Sequence, residues 1–452
     1  MRDAPLMLSV SGARGIVGKT MTPEVARTYG AAFASFLQDR LGRVPKLCIA
    51  RDSRPSGPEL AKAVAQAFVA CGCDVTDLGV VATPTAGVMI GALKADGGII
   101  ITASHNPTPW NGIKCLDGDG LAPPVQDADE IIHRFHEKIH SPKCDTGTLV
   151  ENNLGHDTHI SKVLGVIDPK PIQKKQFRVV LDSINGAGCI GGLRMLEHFG
   201  CDILHLNGEP TGEFAHDPEP KEANLKELCE AVLMFDADVG FAQDPDADRL
   251  AIVDENGRYI GEEYTLALAA EHWLSKNTGS STAANLSTSR MIDDIASNHG
   301  GTAYRSAVGE ANVAGVMKEH DCIIGGEGNG GVIFPKVCWV RDSFSGMALI
   351  LDLMQTRDER LSLIVNALPR YEIVKKTIDL ADLGGISALN EEIGRLQQQY
   401  ASDKQNNSDG LRIDFDEGWV HVRPSNTEPI ARVIAEARDS LTAYTIASRV
   451  KL

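Results

Sequence analysis

The chain has 452 residues, too many for one hydrophobic core, and the length alone predicts about three or four domains. With 43% apolar and 23% charged residues it reads as a folded globular protein, and no uninterrupted apolar run approaches the ~20 residues that span a bilayer. The formal net charge of −17 argues against nucleic acid or an anionic membrane surface as partner, because both select basic patches.

The N-terminus shows no basic region followed by an apolar stretch, which argues against secretion. The first motif in chain order is Ser11-Gly12-Ala13-Arg14-Gly15. The apolar run Leu47-Cys48-Ile49-Ala50 then leads into Arg51-Asp52-Ser53-Arg54, and Ile99-Ile100-Ile101 leads into Thr102-Ala103-Ser104-His105-Asn106-Pro107. Polar residues between His140 and Gly155 predict a joint near residue 155. The pattern returns at Arg178-Val179-Val180-Leu181 before a Ser/Asn/Gly loop, and at Val239-Gly240-Phe241 before Asp244-Pro245-Asp246-Ala247-Asp248-Arg249. A hairpin-like Asp254-Glu255-Asn256-Gly257-Arg258 predicts a second joint near 257. Ile323-Ile324 precedes Gly326-Glu327-Gly328-Asn329-Gly330-Gly331, and Val332-Ile333-Phe334-Pro335 reads as a strand ended by proline. After Pro369 come charged strands, a Gln-rich helix around Leu396 to Gln399, a polar loop from Asp403 to Asp409 that looks flexible, and Arg423-Pro424-Ser425-Asn426-Thr427-Glu428-Pro429. Apolar run, polar loop and helical stretch in alternation predict α/β layers with a largely parallel sheet, and function at a cleft between domains where strands end. The ten cysteines are scattered singly apart from Cys71-Gly72-Cys73, with no C-x-x-C pair, and predict a reducing cytoplasm.

Several of these loops can carry chemistry. In an extended loop Asp244, Asp246 and Asp248 would turn three carboxylates the same way, at mutual repulsion unless a cation joins them. Hard oxygen ligands of this kind suit Mg²⁺; a solvated acidic turn has the same spacing, and no glutamate follows where a calcium loop needs one. Ser104 sits at the mouth of a buried strand, where a nucleophile would be placed, although a Ser-His pair is also a common turn or cap. The glycine-rich loop leads into a strand, so it is not a dinucleotide fingerprint, which requires a helix start. Arg423, Ser425, Asn426 and Thr427 bring a guanidinium, two hydroxyls and an amide together in a pattern suited to an unreactive phosphate, or to a capped turn.

Taken together, the Ser104 loop, the aspartate loop, the glycine-rich loop and the Arg423 loop resemble those of the phosphohexomutase family, whose members move a phosphoryl group between the 6- and 1-positions of a hexose. The resemblance covers the whole chain. It implies three similar mixed α/β domains plus a C-terminal α+β domain around a central cleft, bounded as 1–155, 156–257, 258–369 and 370–452. It implies that Ser104 is phosphorylated and, with Asp244, Asp246 and Asp248, binds one Mg²⁺ per subunit. Arg14 matches the arginine of the family's N-terminal signature, and Arg249 is placed to hold a phosphoryl oxygen. His105 and Asn106 would orient the phosphoryl group, and Lys114 would neutralise charge or handle protons. Glu327 corresponds to the glutamate that reads sugar hydroxyls, with Asn329 as a second contact. Arg423, Ser425, Asn426, Thr427 and Arg432 would hold the distant phosphate. Hexose 1,6-bisphosphate would be intermediate and activator, a small phosphosugar the partner, and the assembly a monomer or homodimer.

The sugar is read from fewer residues. Glu310 stands where mannose/glucose mutases of the family have histidine and phosphoglucosamine mutases generally have an acid. Asn285-Leu286-Ser287-Thr288-Ser289 is also similar to the archaeal-type phosphoglucosamine branch. Gly328, Asn329, Gly331 and Asn426 depart from the common bacterial pattern. The expected substrate is glucosamine phosphate, with mannose or glucose phosphate as the alternative. A metal-dependent sugar phosphatase would not need the second phosphate cradle, and a non-catalytic sugar-phosphate binder would not need the nucleophile.

Overall fold

The computed structural model describes residues 5–10, 12–141, 147–425 and 429–450, so the predicted phosphate contacts Asn426 and Thr427 lie outside the described residues. The chain divides into two compact units, Met1–His272 with Asn329–Val365, and Trp273–Gly328 with Asn366–Leu452.

In the first unit a seven-stranded sheet runs in the order Met7–Ser9, Gly12–Ile16, Trp110–Asp117, Gly97–Ile101, Lys46–Arg51, Asp74–Val80, Leu149–Glu151. The last four strands are mutually parallel. The helix Gly57–Ala70 connects Lys46–Arg51 to Asp74–Val80, and Thr83–Leu93 connects the latter to Gly97–Ile101. The long helix Pro23–Leu41 is fixed at both ends by its sequence: the Thr22 hydroxyl accepts from the Val25 N–H, and Gly42 adopts the left-handed conformation that closes the last turn. Gly30 on this helix leaves room for Val64 of Gly57–Ala70, and Phe33, Phe68, Ile49, Ile99 and Ile101 join one buried cluster between helices and sheet. A second sheet has the order Leu250–Asp254, Val239–Gln243, Arg178–Asp182, Asp202–Leu206.

The α/β sheets keep the predicted parallel strands and add antiparallel neighbours on one side. Gly97–Ile101 pairs antiparallel with Trp110–Asp117, and Val239–Gln243 pairs antiparallel with Leu250–Asp254. The loops between them are too short for the crossover that parallel neighbours need. The Ser104 and aspartate loops therefore lead into strands, whereas the Arg51 and Asp182 loops lead into helices as predicted.

In the second unit the strand Thr282–Asn285 pairs in parallel with Ala303–Ser306 and with Ile324–Glu327. Its other part is an antiparallel sheet in the order Glu372–Asp379, Ile430–Ala437, Gly418–Pro424, Leu411–Asp414, Lys404–Asn406, packed against the helices Ile386–Gln399 and Ser440–Ala447. The polar stretch Asp403 to Asp409, expected as a flexible loop, contributes the edge strand Lys404–Asn406, because the neighbouring strand supplies partners for its backbone. The fold class predicted from sequence holds: mixed α/β layers followed by an α+β C-terminal part. Among the described residues no helix is long and apolar enough to cross a membrane.

Candidate active site

Ser104 lies three residues beyond the end of the buried strand Gly97–Ile101 with φ of 49°, a left-handed backbone that a non-glycine residue adopts at a cost of order 1–3 kcal/mol unless its surroundings impose it. Here they do. The Ser104 N–H donates to Thr102 Oγ1 at 2.9 Å, and the Thr102 hydroxyl donates to Asp52 Oδ2 at 2.7 Å. Arg54, wholly buried, donates from its Nε to the same carboxylate at 3.0 Å. Its two terminal nitrogens donate to the carbonyls of Ser104, Asn106, Pro107 and Trp110 at 2.6–3.0 Å. One guanidinium thus gathers four carbonyls of the Ser104 loop and leaves the serine hydroxyl to face the aspartates.

Asp244, Asp246 and Asp248 are all buried, each offering a carboxylate oxygen within 4.8 Å of the others. They converge through a compact turn, not through the extended strand that their alternation suggests. The Ala247 N–H donates to the Asp244 carbonyl, Ala247 itself is left-handed at φ of 54°, and the N–H groups of Asp248 and Arg249 both donate to Asp244 Oδ1 at 3.1 Å. The protein holds one oxygen of each carboxylate. Asp244 is held at Oδ1, Asp246 at Oδ2 by the Thr83 hydroxyl at 2.7 Å, and Asp248 at Oδ2 by Arg341 at 2.6 Å and Lys114 at 3.4 Å. On the other side, Asp246 Oδ1 and Asp248 Oδ1 are buried with no hydrogen-bond partner among the described residues, and Asp244 Oδ2 lies 3.3 Å from the Ser104 hydroxyl. Three hard oxygens presented together, two of them without a hydrogen-bond donor among the described residues, fit a small divalent cation.

The electrostatics follow from this crowding. Burial, and then Asp246 and Asp248, push the Asp244 carboxyl well above the usual carboxylate range. Burial would raise Asp248 too, but Arg341, Lys114 and Arg249 outweigh it and hold that carboxyl below its ordinary value. His105, with Nδ1 3.4 Å from Ser104 Oγ, is pushed down to about 2, first by Arg249 and then by burial and Arg14. These surroundings favour the neutral ring, which can share a hydrogen bond with the Ser104 oxygen. Arg14 Nη1 donates to Asn106 Oδ1 at 3.2 Å, and Arg249 Nε lies 3.9–4.0 Å from Asp248 and Asp244. Ser104, His105, Lys114, Arg14, Arg249 and the three aspartates thus belong to the first unit and gather at one place.

Of the other predicted residues that are described, all except Asn329 fall in the second unit. Glu327 is buried at the end of the strand Ile324–Glu327, where its Oε1 accepts from the Asn285 amide at 2.8 Å and the Gly309 N–H at 3.1 Å. Glu310, adjacent to that glycine, is buried at the start of the helix Glu310–Glu319. Arg423 and Arg432 are direct cross-strand partners on neighbouring antiparallel strands. Like charges placed opposite one another destabilise a sheet unless negative groups offset them. Asp409 takes Arg423 Nε at 2.8 Å, while the buried Arg423 Nη2 has no hydrogen-bond partner among the described residues. Ser425 comes directly after the same strand, its N–H donating to the Ile430 carbonyl. Asn329 belongs to the first unit, where the next residue, Gly330, packs against Leu250.

Models of the four phosphoglucomutase/phosphomannomutase domains match consecutive stretches of the chain: the alpha/beta/alpha domains I, II and III at residues 7–141, 157–257 and 262–371, and the C-terminal domain at 380–451. The chain belongs to the phosphohexomutase family. A phosphoglucomutase/phosphomannomutase of Thermococcus kodakarensis is 37% identical over 94% of this chain and 93% of its own length. A probable phosphoglucosamine mutase of Methanopyrus kandleri is 36% identical over 94% and 93%. A crystal structure of a phosphoglucomutase/phosphomannomutase family protein from Burkholderia thailandensis superposes with a TM-score of 0.84 at 26% identity, covering 98% of this chain and 96% of the other. As a phosphohexomutase the chain is an isomerase of hexose phosphates.

Five residues of this phosphohexomutase escaped the sequence reading as site residues: Asp52, Arg54, Thr83, Thr102 and Arg341. Asp52 and Arg54 stood in view, in a strand-to-loop step of the kind that carries function. A closely spaced acid and base after a buried strand is the signal that would have found them.

Proposed function

We propose that this enzyme is a phosphoglucosamine mutase, interconverting glucosamine 6-phosphate and glucosamine 1-phosphate through phosphorylated Ser104 and a 1,6-bisphosphate intermediate. The observation that carries the mechanism is the placement of Ser104, in a left-handed turn with its hydroxyl 3.3 Å from Asp244 and close to two carboxylate oxygens that have no hydrogen-bond partner among the described residues. Asp244, Asp246, Asp248 and the Ser104 side chain would hold Mg²⁺, which when bound supplies Lewis-acid charge at the phosphoryl group. Ser104 gives its phosphoryl group to the unmodified hydroxyl of the sugar, and the bisphosphate, turned end over end, returns its other phosphoryl group to Ser104. Arg14 and Arg249 neutralise charge on the transferring group in both directions. Lys114 handles the proton of the reacting hydroxyl, and His105 orients the serine oxygen. Arg423 and Arg432, with Ser425, Asn426 and Thr427, grip the phosphate that does not react. Glu327 and Asn329 bind sugar hydroxyls.

The choice of sugar rests on Glu310, a buried carboxylate next to Gly309, whose N–H donates to Glu327, and suited to the 2-ammonium of glucosamine. The relative from Methanopyrus kandleri supports it by name. The Thermococcus kodakarensis relative favours a second reading, in which glucose or mannose phosphates are preferred. The division at residues 155, 257 and 369 belongs to the same proposal and is supported by the four consecutive matched stretches. We place the enzyme in the cytoplasm, as its scattered cysteines suggest. The test is kcat/KM measured side by side on glucosamine, glucose and mannose 6-phosphates. Glucosamine 6-phosphate should be preferred. Preference for either neutral sugar moves the enzyme to the second reading, and release of inorganic phosphate in place of the isomer would make it a phosphatase.

A further inference from the structure

Gly331 and Arg341 form an arrangement in the first unit that the mechanism above does not use. A Cβ placed on Gly331 would lie 2.2 Å from Arg341 Cδ and 2.8 Å from its Cγ, so the arginine stem runs through the volume that a side chain at 331 would fill. Gly331 has no left-handed φ, so its backbone conformation does not require glycine. The stem leads a buried guanidinium to Asp248, where Nη2 donates to Oδ2 at 2.6 Å. The other cations on this carboxylate are looser, Lys114 at 3.4 Å and Arg249 at 3.9 Å. Asp248 Oδ1 is left buried with no hydrogen-bond partner among the described residues.

We infer that Arg341, threaded through the space that Gly331 leaves empty, is a positioning residue that locks Asp248 with one oxygen turned toward the metal. A buried carboxylate bonded at one oxygen by a rigid fork cannot rotate about its χ2 without breaking a charge-assisted hydrogen bond. Residues that hold metal ligands in this way typically change metal affinity 10- to 100-fold when removed. The inference rests on the Mg²⁺ reading above and extends it to two residues outside the aspartate loop.

The test is calorimetric titration of the full-length protein with Mg²⁺, after metal removal, for the parent, Arg341→Met, Gly331→Ala and the double variant. The dissociation constant should rise about 10- to 100-fold in Arg341→Met. Gly331→Ala should reproduce most of that rise, because the new methyl group expels the arginine stem, and the double variant should be no weaker than Arg341→Met. In assays, excess Mg²⁺ should restore much of the kcat of Arg341→Met, which a purely structural defect would not allow. Parent-like Mg²⁺ affinity in Arg341→Met would overturn the inference, as would additive losses in the double variant. If Arg341→Met fails to fold, Gly331→Ala alone decides: unchanged affinity overturns the inference, and a weakened one supports it. A parent that binds no Mg²⁺ would refute the metal reading itself, which is a different result from a variant that binds as well as the parent.

Discussion

At the scale of single residues, the chemistry concentrates on a hydroxyl and a carboxylate. Ser104→Ala removes the proposed phosphoryl acceptor and nothing that holds the loop, because the backbone bonds of Arg54 and Thr102 do not involve the side chain of residue 104. Turnover should vanish while the thermal midpoint stays near that of the parent, and intact-mass measurement should show no phosphoryl adduct. Mutase activity at the parent level in this variant would end the nucleophile assignment. Glu310→Gln tests the sugar. If the carboxylate meets the substrate ammonium in the buried position it occupies, a charge-assisted contact of about 1.5–3 kcal/mol is lost, or roughly 10- to 150-fold in kcat/KM. The loss should fall on glucosamine 6-phosphate and spare glucose 6-phosphate. Equal losses on both sugars would show that Glu310 shapes its helix start without reading the amine.

At the scale of elements, the loops that carry chemistry depend on partners distant in the chain. Arg54 bonds the Ser104 carbonyl across 50 residues, and Arg341 bonds Asp248 across 93. That separation is why the aspartate and serine loops were legible in the sequence while the arginines that hold them were not. The apolar runs that precede each loop are local patterns and placed the strands well. The element after each loop is decided by strand pairing, and there the expected helices after Ser104 and Asp248 gave way to antiparallel strands. Arg54→Met should show how far the loop relies on its anchor. The change leaves Asp52 as a buried carboxylate without its cation, which costs about 3–5 kcal/mol in comparable sites. Asp52→Asn added to it should recover part of that stability in urea unfolding, because the uncompensated charge is gone. Activity should not return, since four carbonyls of the Ser104 loop still lack their donor. Recovery of activity together with stability would assign Arg54 to charge balance and not to loop geometry.

At the scale of the whole molecule, a net charge of −17 gives the enzyme a far field that opposes a phosphosugar, so its cations must act locally. They do so as Arg14, Lys114, Arg249 and Arg341 near the aspartates and as the opposed Arg423 and Arg432 in the second unit. Burial that serves such sites also makes the fold sensitive to pH, and His421 is the clearest reporter in the second unit. Its ring is wholly buried, with the Ser287 hydroxyl at Nδ1 and the Asp409 carbonyl accepting from Nε2 at 2.7 Å. Burial is the main reason that it is held down to about 4, against about 6.5 in an unfolded chain. Between those values the unfolded state binds a proton that the folded state refuses, so His421 favours unfolding as pH falls. The stability it permits is fully present above about pH 6.5 and is lost progressively as pH drops toward 4, by about 2 kcal/mol on reaching about pH 5. His421→Gln keeps an N–H for the Asp409 carbonyl and cannot take up the proton. Urea unfolding at about pH 7.5 and about pH 5 should therefore show a shallower loss in the variant than in the parent, by about that amount. His105 contributes in the same direction in both proteins and cancels in the comparison. Identical slopes would mean that His421 takes up its proton without unfolding, which its buried hydrogen bonds to Ser287 and Asp409 argue against.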